Sequence, residues 1–287
     1  MTFRTRFAPS PTGPLHLGHA YSAILAHDMA MKNNGEFLLR VEDIDQSRAR
    51  PAWTQQIFDD LEWLGLTWPT PVMVQSNRQD AYDVALDQLW KDQLLFPCIC
   101  NRKDISAAAS APQEGVPLIG PDGIIYPGTC RTTLFDAQAD RPHNVALRLD
   151  VNSCAAYTTN YQETGNGAQS ETGKITTSNI EIIDEVGAIV LARKDMGTSY
   201  HLSVVLDDAA MGITHVVRGQ DLFDATKIHV LLQRLLMLPT PIYHHHTLIR
   251  DDQGKRLAKR DDARAISRYR DDGYTPADIR KMVGLAH

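Results

Sequence analysis

The 287-residue sequence lacks any run of about 18 apolar residues, the length that a membrane-spanning helix needs, so no membrane span is expected. It also lacks an apolar signal segment, because residues 1–6, which include two arginines, lead directly into a predicted strand. A cytoplasmic location is therefore predicted. Apolar residues make up 43% and charged residues 22%, which is typical of a globular protein with one large or two modest domains.

Cysteine and positive charge are both scarce. Four cysteines are few for a disulfide framework, and two of them, Cys98 and Cys100, are separated by a single residue. This spacing favours metal binding in a reducing compartment over disulfide bonding. Lys and Arg together number 29 against 35 Asp and Glu, which gives a formal net charge of -6. Such a balance disfavours a protein that coats nucleic acid, although it leaves room for a local basic face.

A strand, a tight turn and a helix are predicted near the start of the chain. A short apolar segment ends near Ala8, and the prolines and glycine at positions 9–14 interrupt regular structure. Apolar residues then recur with helical spacing from about His16 to about Asn33. The start of such a helix gathers unpaired N–H groups that suit phosphate, and His16 and His19 share one face of its first turn. The two histidines either donate hydrogen bonds to a phosphate or are simply partly exposed residues at a helix start.

Charged and polar side chains follow two further predicted strands. Glu42 comes directly after the apolar strand at residues 36–41, and Arg218 follows the one at residues 214–217. Because ligands of open α/β sheets bind at the carboxyl ends of parallel strands, both are candidate ligand contacts. Arg218 is suited to grip a carboxylate with two hydrogen bonds, and Tyr200 could bond the same ligand. The alternatives are a solvated turn for Glu42 and structural roles for the other two.

Three cysteines are placed to supply thiolates to one metal ion. Cys98, Cys100 and Cys130 flank a segment rich in alanine, glycine and proline. Three thiolates suit a tetrahedral zinc ion that takes one further ligand, which the spacing leaves open. The alternative is a group of reduced, partly buried cysteines. Cys154 is interpreted as structural, and His143 is a substitute fourth ligand.

The remaining segments are predicted to be scaffold. Helices are expected at residues 53–64, 79–93, 199–208 with Ser199 as its cap, and 226–236, with one or two more after residue 261. Strands are expected at residues 144–151, at 180–183 and 187–193 as a hairpin or pair, and at 243–246, where three histidines alternate between faces. The polar, glycine-containing residues 152–179 are interpreted as a surface excursion without chemistry.

Two separate motifs resemble one enzyme family. The sequence from Arg6 to His19, R-F-A-P-S-P-T-G-P-L-H-L-G-H, resembles the HIGH region of class I aminoacyl-tRNA synthetases, in the form of the glutamyl and glutaminyl enzymes. Residues 256–260 resemble the second motif of that class, KMSKS, with Arg256 in place of lysine and Ala258 in place of serine. The resemblance implies a Rossmann-like α/β catalytic domain with an inserted, zinc-bearing subdomain and a short helical C-terminal end. The implied units are residues 1–95, 96–180, 181–240 and 241–287.

The same resemblance implies two sets of ligand contacts. One set binds L-glutamate and consists of Arg6, Ala8, Ser10, Glu42, Tyr200 and Arg218. The other binds ATP, together with Mg²⁺, and consists of His16, Gly18, His19, Arg256 and Lys259. The implied catalytic residues His16, His19 and Lys259 stabilise negative charge on the phosphates. Which arginine takes the side-chain carboxylate of glutamate stays open.

The cysteine pattern and the length of the chain resemble one branch of this family. C-x-C followed by Y-x-x-x-C resembles the glutamyl-Q tRNA(Asp) synthetase branch, which implies Tyr126 as the fourth zinc ligand beside Cys98, Cys100 and Cys130. The sequence ends soon after its second motif, as expected for a branch without a helical anticodon-binding domain. The implied reaction is activation of L-glutamate with ATP and its transfer, by a monomer, to the queuosine base of tRNA(Asp). The alternatives are a truncated enzyme charging tRNA(Glu), a small-molecule adenylating enzyme and an inactive RNA-binding module.

Overall fold

The computed structural model of the protein describes residues 2–109, 119–131, 139–154, 158–249 and 264–286. The strands are β1 (Arg4–Phe7), β2 (Glu36–Val41), β3 (Met73–Val74), β4 (Leu95–Cys98), β5 (Ile119–Gly120), β6 (Gly123–Ile124), β7 (Ala146–Leu149), β8 (Thr159–Glu163), β9 (Gly173–Thr177), β10 (Val190–Ala192), β11 (His215–Gly219) and β12 (Ile242–His246). The helices are α1 (Leu17–Lys32), α2 (Pro51–Trp63), α3 (Gln79–Lys91), α4 (Arg102–Ala109), α5 (Asn179–Glu181), α6 (Tyr200–Ala210), α7 (Thr226–Leu235), α8 (Ile266–Asp271) and α9 (Pro276–Met282). Among these helices, none combines the length and the apolar character that crossing a membrane requires.

The central sheet has a doubly wound order. Strands β1, β2 and β3 pair in parallel, and so do β11, β12 and β8, with β9 antiparallel at the far edge. The two sets meet where the Thr214 amide donates to the Arg4 carbonyl over 3.1 Å. Because β1 leads to β2 on one side and β11 leads to β12 on the other, the carboxyl ends of β1 and β11 flank a topological switch point. Ligands of open α/β sheets bind at such a point, so this edge is where the site is expected.

Helix α1 is held by caps at both ends and by an apolar face. His16 caps its first turn, and the chain leaves it through Asn33 and Asn34, whose φ is 50°. Its buried residues include Ala20, Ala23 and Ile24, which belong to the same core cluster as the strand residues Phe7 and Leu39. Both ends agree with the sequence prediction. Helix α6 likewise begins at the predicted cap, because the Ser199 hydroxyl accepts from the Leu202 amide at 3.4 Å.

The inserted segment contributes a second sheet that shares its core with the central domain. Strands β10, β7 and β4 pair antiparallel in that order. Leu95 and Leu147 from this sheet pack in one cluster with Leu89 of α3, Leu202 of α6 and Leu231 of α7. This packing fixes the insertion against the helices that carry part of the candidate site. The four units inferred from the resemblance stay a prediction.

One sequence expectation is wrong for residues 152–179. Strands β8 and β9 form a hairpin there, and β8 joins the central sheet beside β12, where the Thr164 amide donates to the Tyr243 carbonyl over 2.9 Å. Burial alternates along β8, with Thr159, Tyr161 and Glu163 inward. Because two of these inward residues are polar, the alternation carries no hydrophobic signal. The hairpin turns where a Cβ on Gly165 would lie 2.1 Å from the His245 carbonyl oxygen, so only glycine fits.

A second expectation is wrong for residues 180–183, which were predicted as a strand. Helix α5 begins here, capped reciprocally by Ser178 and Glu181, and residues 182–186 continue as a single wider helical turn. The Ser-x-x-Glu spacing is a capping box that outweighs the β-branched isoleucines. The predicted strand at 187–193 is confirmed in part as β10, and the predicted C-terminal helices are confirmed as α8 and α9.

Candidate active site

A cavity of about 1160 Å³ opens at the carboxyl ends of β1 and β2. Five of the predicted ligand contacts line it, namely Ala8, Ser10, His19, Glu42 and Tyr200. Cys100 and Asp122 from the inserted segment also line this cavity. The switch point of the sheet, the first turn of α6 and the insertion therefore enclose one site.

His16 and His19 form a pair at the start of α1. The Nδ1 of His16 accepts from the Gly18 amide, and the Nδ1 of His19 accepts from the His16 amide, each at 3.1 Å. The ring centroids are 3.8 Å apart. Because both Nδ1 atoms are acceptors, each neutral ring carries its proton on Nε2 and is a donor there. Gly18 permits this arrangement, since a Cβ at that position would lie 3.0 Å from the His16 ring.

Glu42 is held by a fully buried arginine. The Arg40 guanidinium donates to Glu42 Oε1 at 2.9 Å and to Asp208 Oδ1 at 2.6 Å. Burial raises the pKa of Glu42, and the positive charge of Arg40 opposes that shift. The result is an oriented carboxylate on the cavity wall that is suited to a cationic ligand group.

Arg6 lies in the same network and makes an ion pair within the protein. Its Nε and Nη2 donate to the two oxygens of Asp208 at 3.0 and 3.3 Å, and its Nη1 donates to the Val217 carbonyl. Burial works against ionisation of Asp208, but Arg6 and Arg40 outweigh it and lower the pKa of that carboxyl. The charge of Arg6 is therefore largely offset before any ligand arrives.

Arg218 has a different environment. Its Nε donates to His245 Nε2 at 3.1 Å, its Nη1 to His229 Nδ1 at 3.0 Å and its Nη2 to Thr226 Oγ1 at 2.7 Å. Its Nη2 also donates to the carbonyl of Leu222, a residue that lines the cavity. Within the described ranges, no carboxylate contacts Arg218 directly. It is a buried cation next to the cavity whose direct partners are neutral.

Tyr200 completes this side of the site. Its ring lies edge-on to His229, with centroids 5.7 Å apart. Burial raises the pKa of Tyr200, so its hydroxyl stays protonated at neutral pH and can donate a hydrogen bond to a ligand.

The three predicted cysteines converge. The Sγ atoms of Cys98, Cys100 and Cys130 lie within 4.8 Å of one another, and the Tyr126 hydroxyl is 3.4 Å from two of them. Four ligands around zinc at about 2.3 Å place sulfur atoms roughly 3.8 Å apart, so these side chains fit a tetrahedral ion. His143 is exposed and is not part of this cluster.

Some predicted residues fall elsewhere, and some functional candidates were missed. Arg256 and Lys259 lie outside the described residues. Arg40 and Asp208, which hold Glu42 and Arg6, were not predicted as site residues. The same is true of three residues in the network around Arg218, namely Glu163, His229 and His245. The three consecutive histidines were interpreted as alternating between the faces of a strand. In β12, His244 is partly exposed, whereas His245 and His246 are both buried. The Nε2 of His245 contacts Thr226 of α7, and the Nε2 of His246 contacts Ser22 of α1.

A comparison with protein families decides the classification. The family described as tRNA synthetases class I (E and Q), catalytic domain, matches residues 2–286. The chain belongs to this family. The predicted class I synthetase α/β fold is thereby confirmed, as is the family inferred from the HIGH-like region and the second motif.

Individual members of the family are similar along most of the chain. The Glutamyl-Q tRNA(Asp) synthetase of Rhodobacter capsulatus is 60% identical over 281 residues, which cover 98% of this chain and 99% of that protein. The protein of the same name from Burkholderia cenocepacia is 39% identical over 266 residues, covering 93% and 83%. Among solved structures, a glutamate tRNA ligase from Elizabethkingia meningosepticum in complex with its amino acid aligns with a TM-score of 0.76 and 26% identity. That alignment covers 99% of this chain and 61% of the ligase, so this class I synthetase chain spans less than two thirds of it.

Proposed function

We propose that this class I synthetase activates L-glutamate with ATP and transfers the glutamyl group to the queuosine base at the wobble position of tRNA(Asp). The similarity to a protein of that name, 60% identical over nearly the whole of both chains, supports the acceptor. The observation that carries the amino-acid substrate is the presence at one site of two opposite charges that do not contact each other. Glu42 lies on the cavity wall, and Arg218 is a neighbouring buried cation whose direct partners are neutral.

Glutamate carries one ammonium group and two carboxylates, and the site offers complementary charges. In the proposal, Glu42 accepts hydrogen bonds from the ammonium group, because Arg40 already holds the carboxylate in place. Arg218 takes the side-chain carboxylate, since Arg6 is already paired with Asp208. Tyr200 and Ser10 donate hydrogen bonds to the remaining oxygens, and Ala8 lines the same wall.

ATP binds in this proposal at the start of α1. The Nε2–H groups of His16 and His19 donate to phosphate oxygens, and the helix N-terminus adds its partial positive charge. Gly18 keeps the backbone approach open, and Arg256 and Lys259 supply further positive charge. Mg²⁺ enters with ATP and neutralises part of the phosphate charge when bound.

The proposed reaction has two steps. An oxygen of the glutamate α-carboxylate attacks the α-phosphorus of ATP, the bond to the β-phosphate oxygen breaks, and pyrophosphate leaves. A hydroxyl of queuosine then attacks the carbonyl carbon of glutamyl-adenylate, loses its proton, and AMP leaves as the ester forms. The residues contribute positioning and electrostatic stabilisation of the charge that develops on the phosphates.

Zinc belongs to the proposal as a structural ion. Cys98, Cys100, Cys130 and the Tyr126 hydroxyl are the ligands, and their spacing fits the ion as described above. When bound, zinc supplies cross-linking rather than reaction chemistry. Cys100 also lines the cavity, so the cluster fixes one wall of the site. We further propose that the protein is a monomer in the cytoplasm, a reducing compartment in which its free cysteines stay reduced.

An ordinary glutamyl-tRNA synthetase activity is the second candidate, supported by the structural similarity to a glutamate tRNA ligase. The two are separated by offering radiolabelled glutamate and ATP with tRNA(Asp) containing queuosine, tRNA(Asp) lacking it, and tRNA(Glu). The proposal predicts label on the queuosine-containing tRNA(Asp) alone. Label on tRNA(Glu) alone would overturn it in favour of the second candidate.

A further inference from the structure

Arg218 is the centre of a chain of polar contacts that has a carboxylate at each end, the buried Glu163 and the exposed Asp122. The chain links Glu163, His245, Arg218, His229, His201 and Asp122. The proposed function uses the guanidinium alone. The other members come from β8, β12, α7, α6 and the turn between β5 and β6, so distant parts of the sequence converge on one cation.

The first arm runs from Arg218 through β12 to β8. Because arginine only donates, His245 Nε2 accepts from Arg218 and the ring proton must sit on Nδ1. That Nδ1 lies 2.5 Å from Glu163 Oε2, which accepts the proton's hydrogen bond. The other oxygen of Glu163 accepts from the His245 and Gly165 amides at 2.9 and 2.7 Å. The Glu163 carboxylate is therefore saturated with donors and sets the tautomer of His245.

The second arm runs through α7 and α6 to the insertion. His229 Nδ1 accepts from Arg218, so its Nε2 carries the proton and donates to His201 Nδ1 at 3.1 Å. His201 Nε2 in turn lies 3.2 Å from Oδ1 of Asp122, an exposed carboxylate of the insertion. Every hydrogen-bond donor between Glu163 and His201 faces an acceptor when His245 and His229 are neutral.

Burial favours the neutral state of His245 and His229. Burial lowers the pKa of His245 despite the hydrogen bond that this ring donates to Glu163, and it lowers the pKa of His229 well below the usual value, with the charge of Arg218 lowering it further. The two imidazoles that touch Arg218 therefore orient the guanidinium without cancelling its charge. A carboxylate in direct contact would cancel it, as Asp208 does for Arg6.

We propose that Glu163 and His245 are positioning residues that hold Arg218 in place for the side-chain carboxylate of glutamate, with His229, His201 and Asp122 supporting it from the other side. This inference rests on the proposed function, because it assigns Arg218 to the substrate. The His245 imidazole lies between Glu163 and Arg218. The Glu163 carboxylate therefore orients the guanidinium through this ring without contacting it directly. The substrate carboxylate then meets a cation that no protein carboxylate occupies within the described part of the chain.

Replacing Glu163 by glutamine tests the first arm, because it should change which ring nitrogen of His245 carries the proton. The amide oxygen of E163Q must keep the two backbone N–H donors, so its NH₂ group faces His245 Nδ1. His245 then carries its proton on Nε2, where it meets the donating Nε–H of Arg218. Two opposed donors push the guanidinium out of position, since neither can be satisfied. We expect the KM for glutamate in pyrophosphate exchange to rise by roughly tenfold to a hundredfold, with the KM for ATP unchanged.

Nitrogen-15 NMR of the imidazoles gives a readout that a merely structural role would not move. The expected result is a shift of the His245 proton from Nδ1 in the parent protein to Nε2 in E163Q. A parent protein with the proton already on Nε2 would overturn the proposal. So would an E163Q protein with the shifted proton and an unchanged KM for glutamate.

Variants of His245 keep the test decisive if E163Q folds poorly. His245→Gln reaches far enough to present an acceptor to Arg218, whereas His245→Asn is short and reaches only toward Glu163. We expect H245Q to retain a KM for glutamate several-fold lower than that of H245N. His244→Asn is the matched control, because that neighbouring histidine bonds Thr164 on the other side of β12. Equal KM values for H245Q and H245N would overturn the proposal.

Arg218→Ala separates this inference from the function on which it rests. An unchanged KM for glutamate in R218A would overturn the assignment of Arg218 to the substrate, and with it the proposed glutamate site. A raised KM in R218A combined with parental values in E163Q and H245N would keep the proposed function and overturn the positioning role alone.

Discussion

Arg6 and Arg218 lie near the carboxyl ends of neighbouring strands β1 and β11. Of these two arginines, only Arg6 donates directly to a carboxylate within the described part of the chain. Asp208 offsets the charge of Arg6, whereas neutral imidazoles surround Arg218. Two arginines that look equivalent in the sequence therefore have different roles. Arg6 forms an ion pair with Asp208 beside the site, and Arg218 keeps its charge available to a ligand.

Replacing Asp208 by asparagine removes the carboxylate shared by Arg6 and Arg40. Arg6 then loses its carboxylate partner and Arg40 loses one of its partners while keeping Glu42, so we expect the free energy of unfolding to fall by about 3–5 kcal/mol. Urea unfolding at pH 7 measures this change. Arg193→Ala, which breaks an exposed pair with Asp195, is the control and should cost less than about 1 kcal/mol. A D208N variant as stable as this control would contradict the network.

The same carboxylate predicts a dependence on pH. The folded pKa of Asp208 is lowered, so its contribution to stability is fully present above the unfolded value of about 3.9. The contribution is lost as the pH falls through the lower folded pKa. D208N should therefore narrow its deficit relative to the parent protein in acid, which urea titrations between pH 7 and pH 3 would detect. A deficit that stays constant over this range would argue against an ionised Asp208.

Asp60 should make stability depend on pH in the opposite direction to Asp208. This carboxyl on α2 is fully buried, neither oxygen has a hydrogen-bond partner among the described residues, and burial raises its pKa to about 6 despite Arg270 at 3.7 Å. The folded state holds a proton that the unfolded chain releases near pH 3.9, so stability falls as the pH rises from about 4 to about 6. Asp60→Asn should remove this loss and stabilise the protein at pH 7, relative to its effect at pH 4, by up to about 3 kcal/mol.

The control for Asp60 is its exposed neighbour. Asp59→Asn changes the same functional group at the adjacent position of α2, where the side chain bonds Gln55 at the surface. We expect it to shift stability by less than about 0.5 kcal/mol at either pH. If D60N gave the same change at pH 4 and pH 7, the raised pKa would be contradicted.

His16 and His19 should act on the rate of activation. Replacing either histidine by alanine removes one hydrogen-bond donor to the phosphates. We therefore expect kcat of glutamate-dependent pyrophosphate exchange to fall by a factor of about 10²–10³. The KM for glutamate should change little, because the glutamate contacts are untouched. His143→Ala, which alters an exposed histidine outside the site, should keep the parental rate. A loss confined to the KM for ATP would mean that these histidines bind substrate without favouring the transition state.

The cysteine cluster predicts one tightly bound zinc ion per chain. Elemental analysis of the purified protein should find it, and Cys98→Ser should lower the zinc content well below one. Cys154→Ser is the matched control, because that buried cysteine lies outside the cluster and should leave the zinc content unchanged. Tyr126→Phe should retain the ion but release it to a chelator at lower concentration, because one of four ligands is lost. Absence of zinc from protein purified under reducing conditions would contradict the assignment.

Local rules were sufficient where a segment obeys one clear pattern. The apolar strand at residues 36–41 and the capped helix that follows His16 were predicted at nearly their observed ends. The pattern failed for β8, because Thr159 and Glu163 point inward and polar inward residues look like a loop. Glu163 is stable there only through donors from His245 and Gly165, a long-range condition that no sequence window contains.

The site was predictable to a similar extent. Motif resemblance indicated the residues that line the cavity, such as Glu42 and Tyr200. It gave no indication that Asp208 pairs with Arg6 or that histidines separate Glu163 from Arg218, because those contacts join residues far apart in the chain. The contrast between the two arginines is a property of packing and became visible only in three dimensions.

The position of the glutamyl ester on the tRNA distinguishes the proposed queuosine acceptor from the terminal ribose. Queuosine-containing tRNA(Asp) from which the 3′-terminal adenosine has been removed keeps its anticodon but has no terminal ribose to accept an amino acid. With ATP and radiolabelled glutamate, we expect this truncated tRNA to be labelled as fully as the intact one, and nuclease digestion to place the label on the anticodon fragment. Loss of labelling on removal of the terminal adenosine would show that the acceptor is the ribose and would contradict the account.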